Sequence, residues 1–199
     1  MIKQLKKRLK KLLKSIFNEH TVPKTNDKLP YIIEYPISNN SLKLVHVSAF
    51  NYGNAGDVLL PIVLQDTWQN EFGKIDWINQ KVHATVDIDL INQINESDGV
   101  IIGGGGLFLR DTNPNQISGW QWPCSMEMLH KIKVPIIFYA VGYNRFRGGQ
   151  EEFEPFFKES ITAFAEKSAY IGLRNYGSIN AVKNYLPENL HSNCVFSRV

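Results

Sequence analysis

Cysteine is scarce in this chain. Cys124 and Cys194 stand far apart and form no C-x-x-C pair, which argues against a disulfide framework or a zinc knuckle and fits a reducing cytosol. No apolar run approaches the roughly 18 residues that a bilayer span needs. The basic start lacks the continuous apolar core and small-residue cleavage site of a secretory signal. Neither H-x-x-H nor H-E-x-x-H occurs and the carboxylates do not cluster, so no metal set is offered. The absence of G-x-S-x-G disfavours a serine hydrolase. The absence of G-x-x-x-x-G-K-[ST] disfavours a P-loop ATPase, and Gly103–Gly106 fails G-x-G-x-x-G because Phe108 stands where the third glycine belongs, which disfavours a nicotinamide dehydrogenase.

Acidic residues are missing from positions 1–17, which hold Lys3, Lys6, Lys7, Arg8, Lys10, Lys11 and Lys14. The remaining 15 basic and 19 acidic residues leave the body at −4, although the whole chain is +3. By charge the body is no nucleic-acid binder. Ile2, Leu5, Leu9, Leu12, Leu13 and Ile16 recur at three- and four-residue steps and line one face of a helix over 1–17. Such a helix can lie in an anionic membrane interface, or pack on its own domain or a partner with its lysines solvated. Residues 18–41, with Pro23, Pro30 and Pro36, read as a linker or arm.

The whole chain is 43% apolar, the composition of a globular protein, and from residue 42 to 199 the apolar residues take an alternating form. Strands are expected at Leu42–Val47, Lys74–Ile78, Gly99–Ile102, Val134–Val141, Ala169–Leu173 and Leu190–Phe196. Helices are expected at Val58–Phe72, Asp87–Asn95, Ser125–Lys131, Phe153–Lys167 and Tyr176–Tyr185. Continuous apolar strands alternating with helices predict an α/β fold, a parallel Rossmann-like sheet covered on both faces. Right-handed crossovers then bring Asn51–Asp57, Gly103–Arg110, Gly142–Arg147 and Arg174–Ser178 to one edge.

Each of these segments admits two readings. Asp57 stands at a helix start, either as a cap or as a base for an acceptor hydroxyl. Gly103, Gly104, Gly105 and Gly106 read as a turn whose bare backbone approaches a ligand, or as a tight structural crossing. Arg174 suits a carboxylate or phosphate, or an ion pair between layers. Trp120 and Trp122 suit a sugar-stacking platform or core packing. His46, inside the first strand, reads as a satisfied core histidine.

These turns, in this order, resemble those of the polysaccharide pyruvyl transferase family. The resemblance rests on G-N-A-G-D at Gly53–Asp57, D-G-V-I-I-G-G-G-G-L-F at Asp98–Phe108, P-I-I-F-Y-A-V-G at Pro135–Gly142 and L-R-N-Y-G-S at Leu173–Ser178. It implies one half of a GT-B-like fold and transfer of pyruvate from phosphoenolpyruvate, as donor substrate with no cofactor, to a sugar of a cell-surface polysaccharide or its lipid-linked precursor. It implies Asp57 and Arg174 as catalytic, with Asn54, Gly56, Gly103–Gly106, Gly142, Asn144 and Ser178 lining the substrate site. It also implies a cytoplasmic place, on the inner membrane face if the first helix tethers there. Two positions depart from the family pattern, Val58 and Asn175, where acidic residues are usual. The chain stops at Val199, where a second domain would begin, so the expectation is a truncated chain that needs completion to be a transferase. The alternatives are another GT-B-type enzyme using a nucleotide-sugar, or a non-catalytic binding or assembly subunit.

Overall fold

Strand β1 (Leu42–Ser48) opens the described part of the chain; the computed structural model describes residues 41–51, 53–109, 116–145, 153 and 155–198. The basic segment 1–17, the arm up to residue 40, Arg110 and Arg147 lie outside them. The order continues α1 (Ala55–Phe72), β2 (Ile75–Lys81), α2 (Ile88–Asn95), β3 (Gly99–Phe108), α3 (Met126–Lys131), β4 (Ile136–Tyr143), α4 (Pro155–Lys167), β5 (Tyr170–Leu173), α5 (Tyr176–Lys183), a 3-10 turn (Glu188–Asn193) and β6 (Cys194–Phe196). The strands form one six-stranded sheet in the order β2-β1-β3-β4-β5-β6, and every pairing is parallel. The Rossmann-like α/β expectation holds.

Period-two alternation divides the strand side chains between two layers. Val45, Val47, Val100, Ile102, Ile136, Phe138, Ile171 and Leu173 pack with residues of α2, α3, α4 and α5 in one core. Trp120 and Trp122 belong to it. Both are fully buried, their rings 5.3–6.2 Å from Phe108, Phe138, Phe164 and each other. The sugar-platform reading of the two tryptophans is thereby corrected, because no ring face is open to a ligand. The opposite layer holds His46, Trp77 and Tyr139 with Trp68 of α1.

Local chemistry sets the element ends. Asn54, not Asp57, caps α1: its side chain accepts from Gly56 N–H at 2.9 Å, so the helix starts three residues earlier than its apolar pattern suggests. Asp87, Ser125 and Asn175 cap α2, α3 and α5 in the same way. Gly73, at φ 81°, ends α1 in a backbone region open mainly to glycine. Strand β2 runs past Ile78 to Lys81 because it pairs with β1 along its whole length. The expected last strand is shortened because Leu190 N–H donates to Pro187 O at 2.9 Å, closing a turn.

The largest departure concerns the four glycines, which form part of β3 and no turn. Gly103 pairs with Tyr139 and Gly105 with Val141. The Tyr139 carbonyl occupies the place that a Cβ on Gly103 would need. Gly104, at φ 74°, lies under Pro61, and a Cβ there would sit 3.1 Å from the Pro61 Cα and N. Pro61 lies inside α1, where it removes the bond that a residue four positions earlier would accept. A helix residue without N–H set against a strand residue without Cβ lets the two backbones meet.

His46 is fully buried beside these glycines. Its Nε2–H donates to Gly103 O at 3.3 Å and its Nδ1 accepts from Gln65 Nε2 at 2.9 Å. Burial lowers its pKa from 6.5 to about 4, against the opposing pull of the Gly103 carbonyl. Because the folded value lies below the unfolded one, the stability from keeping His46 neutral is whole above pH 6.5 and is lost as pH falls toward 4. At about 1.4 kcal/mol per unit the full loss is somewhat over 3 kcal/mol. Urea unfolding across that window should show a steeper fall for the wild type than for His46→Gln. Equal slopes would mean that His46 does not titrate on unfolding.

Candidate active site at the carboxyl edge of the sheet

In a parallel sheet all carboxyl ends share one edge, and a ligand crevice opens where consecutive connections diverge to opposite sides. Here that point is β1, with β2 on one side and β3 on the other. The turn after it carries Asn51, Gly53, Asn54, Gly56 and Asp57. Asn51 Oδ1 accepts from Gly53 N–H at 3.1 Å, and Asn54 Oδ1 is occupied as the cap. Asp57, in the first turn of α1, is relieved of capping, and its carboxylate holds no hydrogen bond or ion pair among the described residues. Phe50, at φ 44°, turns the chain out of β1 and lays its ring edge-on against His46 at 5.1 Å.

The second group lies at the ends of β3, β4 and β5. Arg174 directly follows β5, and its N–H donates to Val141 O at 3.0 Å. Its guanidinium crosses the face of Gly142, whose missing Cβ makes the room, and its Nη2–H donates to Asn144 Oδ1. The Asn144 amide in turn fills the space beside Gly106, and Asn144 N–H donates to Phe108 O at 2.9 Å. Ser178 Oγ accepts from Tyr143 N–H at 3.0 Å, tying α5 to the end of β4. Gly106, Gly142, Asn144, Arg174 and Ser178 are thus one connected cluster.

Asn54, Gly56 and Asp57 occupy the same edge but at β1. Three strand spacings, about 14 Å, separate β1 from β5. Of the glycine run, Gly103 and Gly104 are taken up by protein backbone, Gly105 is buried, and Gly106 alone borders the cluster.

Arg174 is half-buried, and loss of water pulls its pKa below the ordinary guanidinium value. No carboxylate neutralises it among the described residues. A guanidinium in that setting presents its remaining N–H groups as a fork to an anion. No thiol competes as a nucleophile there: burial pushes Cys124 up to about 12 and raises Cys194 as well. Among the described residues no group of three or more His, Cys, Asp or Glu converges on a point, and no helix is long and apolar enough to cross a membrane.

Asn175, one of the two departures from the family pattern, has a local explanation. Its Oδ1 accepts from Ser178 N–H at 2.7 Å as the α5 cap, a role that asparagine fills as well as aspartate. Reading the sequence missed Ala140, Gly172 and Ser197. The one local signal was Gly172 inside a four-residue strand, since glycine there marks a close approach.

A single parallel six-stranded sheet with helices, carrying at its carboxyl edge a guanidinium that meets no carboxylate among the described residues, defines a protein of the Rossmann-like α/β class. The family model for polysaccharide pyruvyl transferase matches residues 2–196, and the chain belongs to that family. No curated protein and no solved structure matches it.

Proposed function

We propose that this domain binds phosphoenolpyruvate at the Arg174 cluster and directs its pyruvyl group to a sugar of a cell-surface polysaccharide or lipid-linked precursor. The observation that carries the reading is the Arg174 guanidinium, half-buried, laid over Gly142 and partnered by the neutral Asn144. Phosphoenolpyruvate offers it a carboxylate and a phosphate. In the reaction the donor's methylene carbon gains a proton and the adjoining carbon becomes cation-like. One sugar hydroxyl adds to that carbon, a second displaces phosphate, and both hydroxyl protons leave. The product is a cyclic ketal and inorganic phosphate.

Arg174, with Asn144 fixing its plane, holds the donor anion. Gly106, Gly142 and Ser178 shape the floor beside it. Asp57, with Asn54 and Gly56 forming its turn, orients or deprotonates an acceptor hydroxyl. The 14 Å spacing suits two substrates held side by side better than one small molecule touching both groups. Calorimetric titration of the chain with phosphoenolpyruvate, with uridine diphosphate-glucose in parallel, tests the donor. Binding of the first alone is expected. Binding of the nucleotide-sugar alone would replace the reading with a glycosyltransferase.

The lysines of residues 1–17 supply a second contact in this proposal, to anionic headgroups at the inner membrane face where lipid-linked glycans are built. Sedimentation with vesicles containing anionic lipid should retain chain 1–199 and release chain 21–199. Equal retention of both would remove the tether.

A further inference from the structure

We propose that Ser197 is a positioning residue for Arg174, acting through a bulge in β4. This rests on the anion-site reading above for its functional consequence, but its geometry stands apart from the donor's identity. Between Phe138 and Val141 strand β4 spends three steps while β5 spends two, from Ile171 to Leu173, so β4 carries one extra residue. That residue lies at Tyr139–Ala140, where Ala140 takes φ 52°, a backbone region that L side chains rarely adopt.

The turned peptide is held from both sides. The Tyr139 carbonyl fits against the bare face of Gly103. The Ala140 N–H donates to Ser197 Oγ at 2.7 Å, across 57 residues of sequence. Ser197 follows β6, is buried, and is itself anchored where its N–H donates to Leu173 O at 2.9 Å. Its side chain reaches Ala140 by crossing Gly172 of β5. A Cβ on Gly172 would stand 2.5 Å from Ser197 Oγ, so the absent side chain is the opening through which the bond forms.

The bulge decides what lies beneath the guanidinium. With the extra residue, Leu173 faces Val141, and Arg174 lies over Gly142 with Asn144 in reach. Removing one residue from the β4 register would bring Val141 under Arg174 and turn each later β4 side chain to the other face. An isopropyl group would then fill the space that the guanidinium occupies, and Asn144 would point away. A bulge beside a functional group re-aims the residues that follow it, and Ser197 satisfies the buried N–H that the re-aiming leaves outside the ladder.

The experiment uses chain 1–199 in three variants: Ser197→Ala, Ala140→Gly, and both together. Glycine adopts φ 52° without penalty, so Ala140→Gly should sustain the bulge when the serine bond is gone. Two readouts apply, the Arg174 Nε–H signal in a proton–nitrogen spectrum and the phosphoenolpyruvate dissociation constant. Ser197→Ala is expected to shift the Arg174 signal and weaken phosphoenolpyruvate at least tenfold. Ala140→Gly alone should resemble wild type, and the double variant should recover most of both. If Ser197→Ala does not fold, Ser197→Cys, close in volume but a weak acceptor, replaces it in both backgrounds. An unmoved Arg174 signal in the single variant overturns the proposal, as does a double variant as impaired as Ser197→Ala. A wild type that binds no phosphoenolpyruvate removes the donor reading while the Arg174 signal still decides the role of Ser197.

Discussion

Arg174→Ala should weaken phosphoenolpyruvate binding about a hundredfold while the far-ultraviolet spectrum and unfolding midpoint stay near those of wild type. A charge-assisted hydrogen bond is worth about 1.5–3 kcal/mol, and two parallel ones to a carboxylate or phosphate bring the loss to roughly 3 kcal/mol. The fold should tolerate the change because no ion pair among the described residues depends on this side chain and its Asn144 contact is at the rim. Arg174→Lys keeps the charge but not the planar fork, so about a tenfold loss is expected. Asp57→Asn makes the complementary test. It should leave donor binding unchanged and lower pyruvyl transfer by about two orders of magnitude or more, as removal of a general base does. An Asp57 that served only the helix N-terminus would instead cost a few tenths of a kcal/mol in stability and nothing in turnover. Donor affinity retained by Arg174→Ala would take the anion site away from β5.

Gly103→Ala should cost more than about 3 kcal/mol of stability or prevent folding, since the added methyl meets the Tyr139 backbone carbonyl, which cannot swing aside as a side chain can. A domain with a total of about 5–15 kcal/mol has little margin for that. Gly105→Ala, two residues on in the same strand, should be mild, because its Cβ would lie 3.4 Å from the Leu107 Cδ2, an ordinary contact with a movable group. Gly104→Ala falls between, strained by φ 74° and by the 3.1 Å approach to Pro61. Denaturant midpoints of the three variants should follow that order. Equal losses at Gly103 and Gly105 would mean that the close crossing of β3 and β4 is not what requires glycine.

This ordering also separates what can be read along the chain from what cannot. Alternation of apolar strands and helices depends on neighbours two to four positions apart. It was legible, and with it the parallel sheet and the edge that carries Arg174 and Asp57; the caps at Asp87, Ser125 and Asn175 came from the structure. The displaced cap of α1 was nearly legible: Asn54 and Asp57 are both competent capping residues, and only the Gly56 N–H, bonded to Asn54, chose between them.

The glycine run shows where reading along the chain ends. A row of glycines announces that something must come close, but not what, and the partners Tyr139 and Pro61 lie on separate strands and helices. The tryptophans are the same case. Aromatic area suits a sugar and a core equally, and burial decides. By itself, then, the sequence determined the order of the elements, the common direction of the strands and the family. Tertiary structure alone decided which backbones touch, which cation meets no carboxylate among the described residues and which serine bonds the Ala140 N–H. Those outcomes rest on contacts between segments distant in the chain, and a residue's local pattern carries no information about its opposite number.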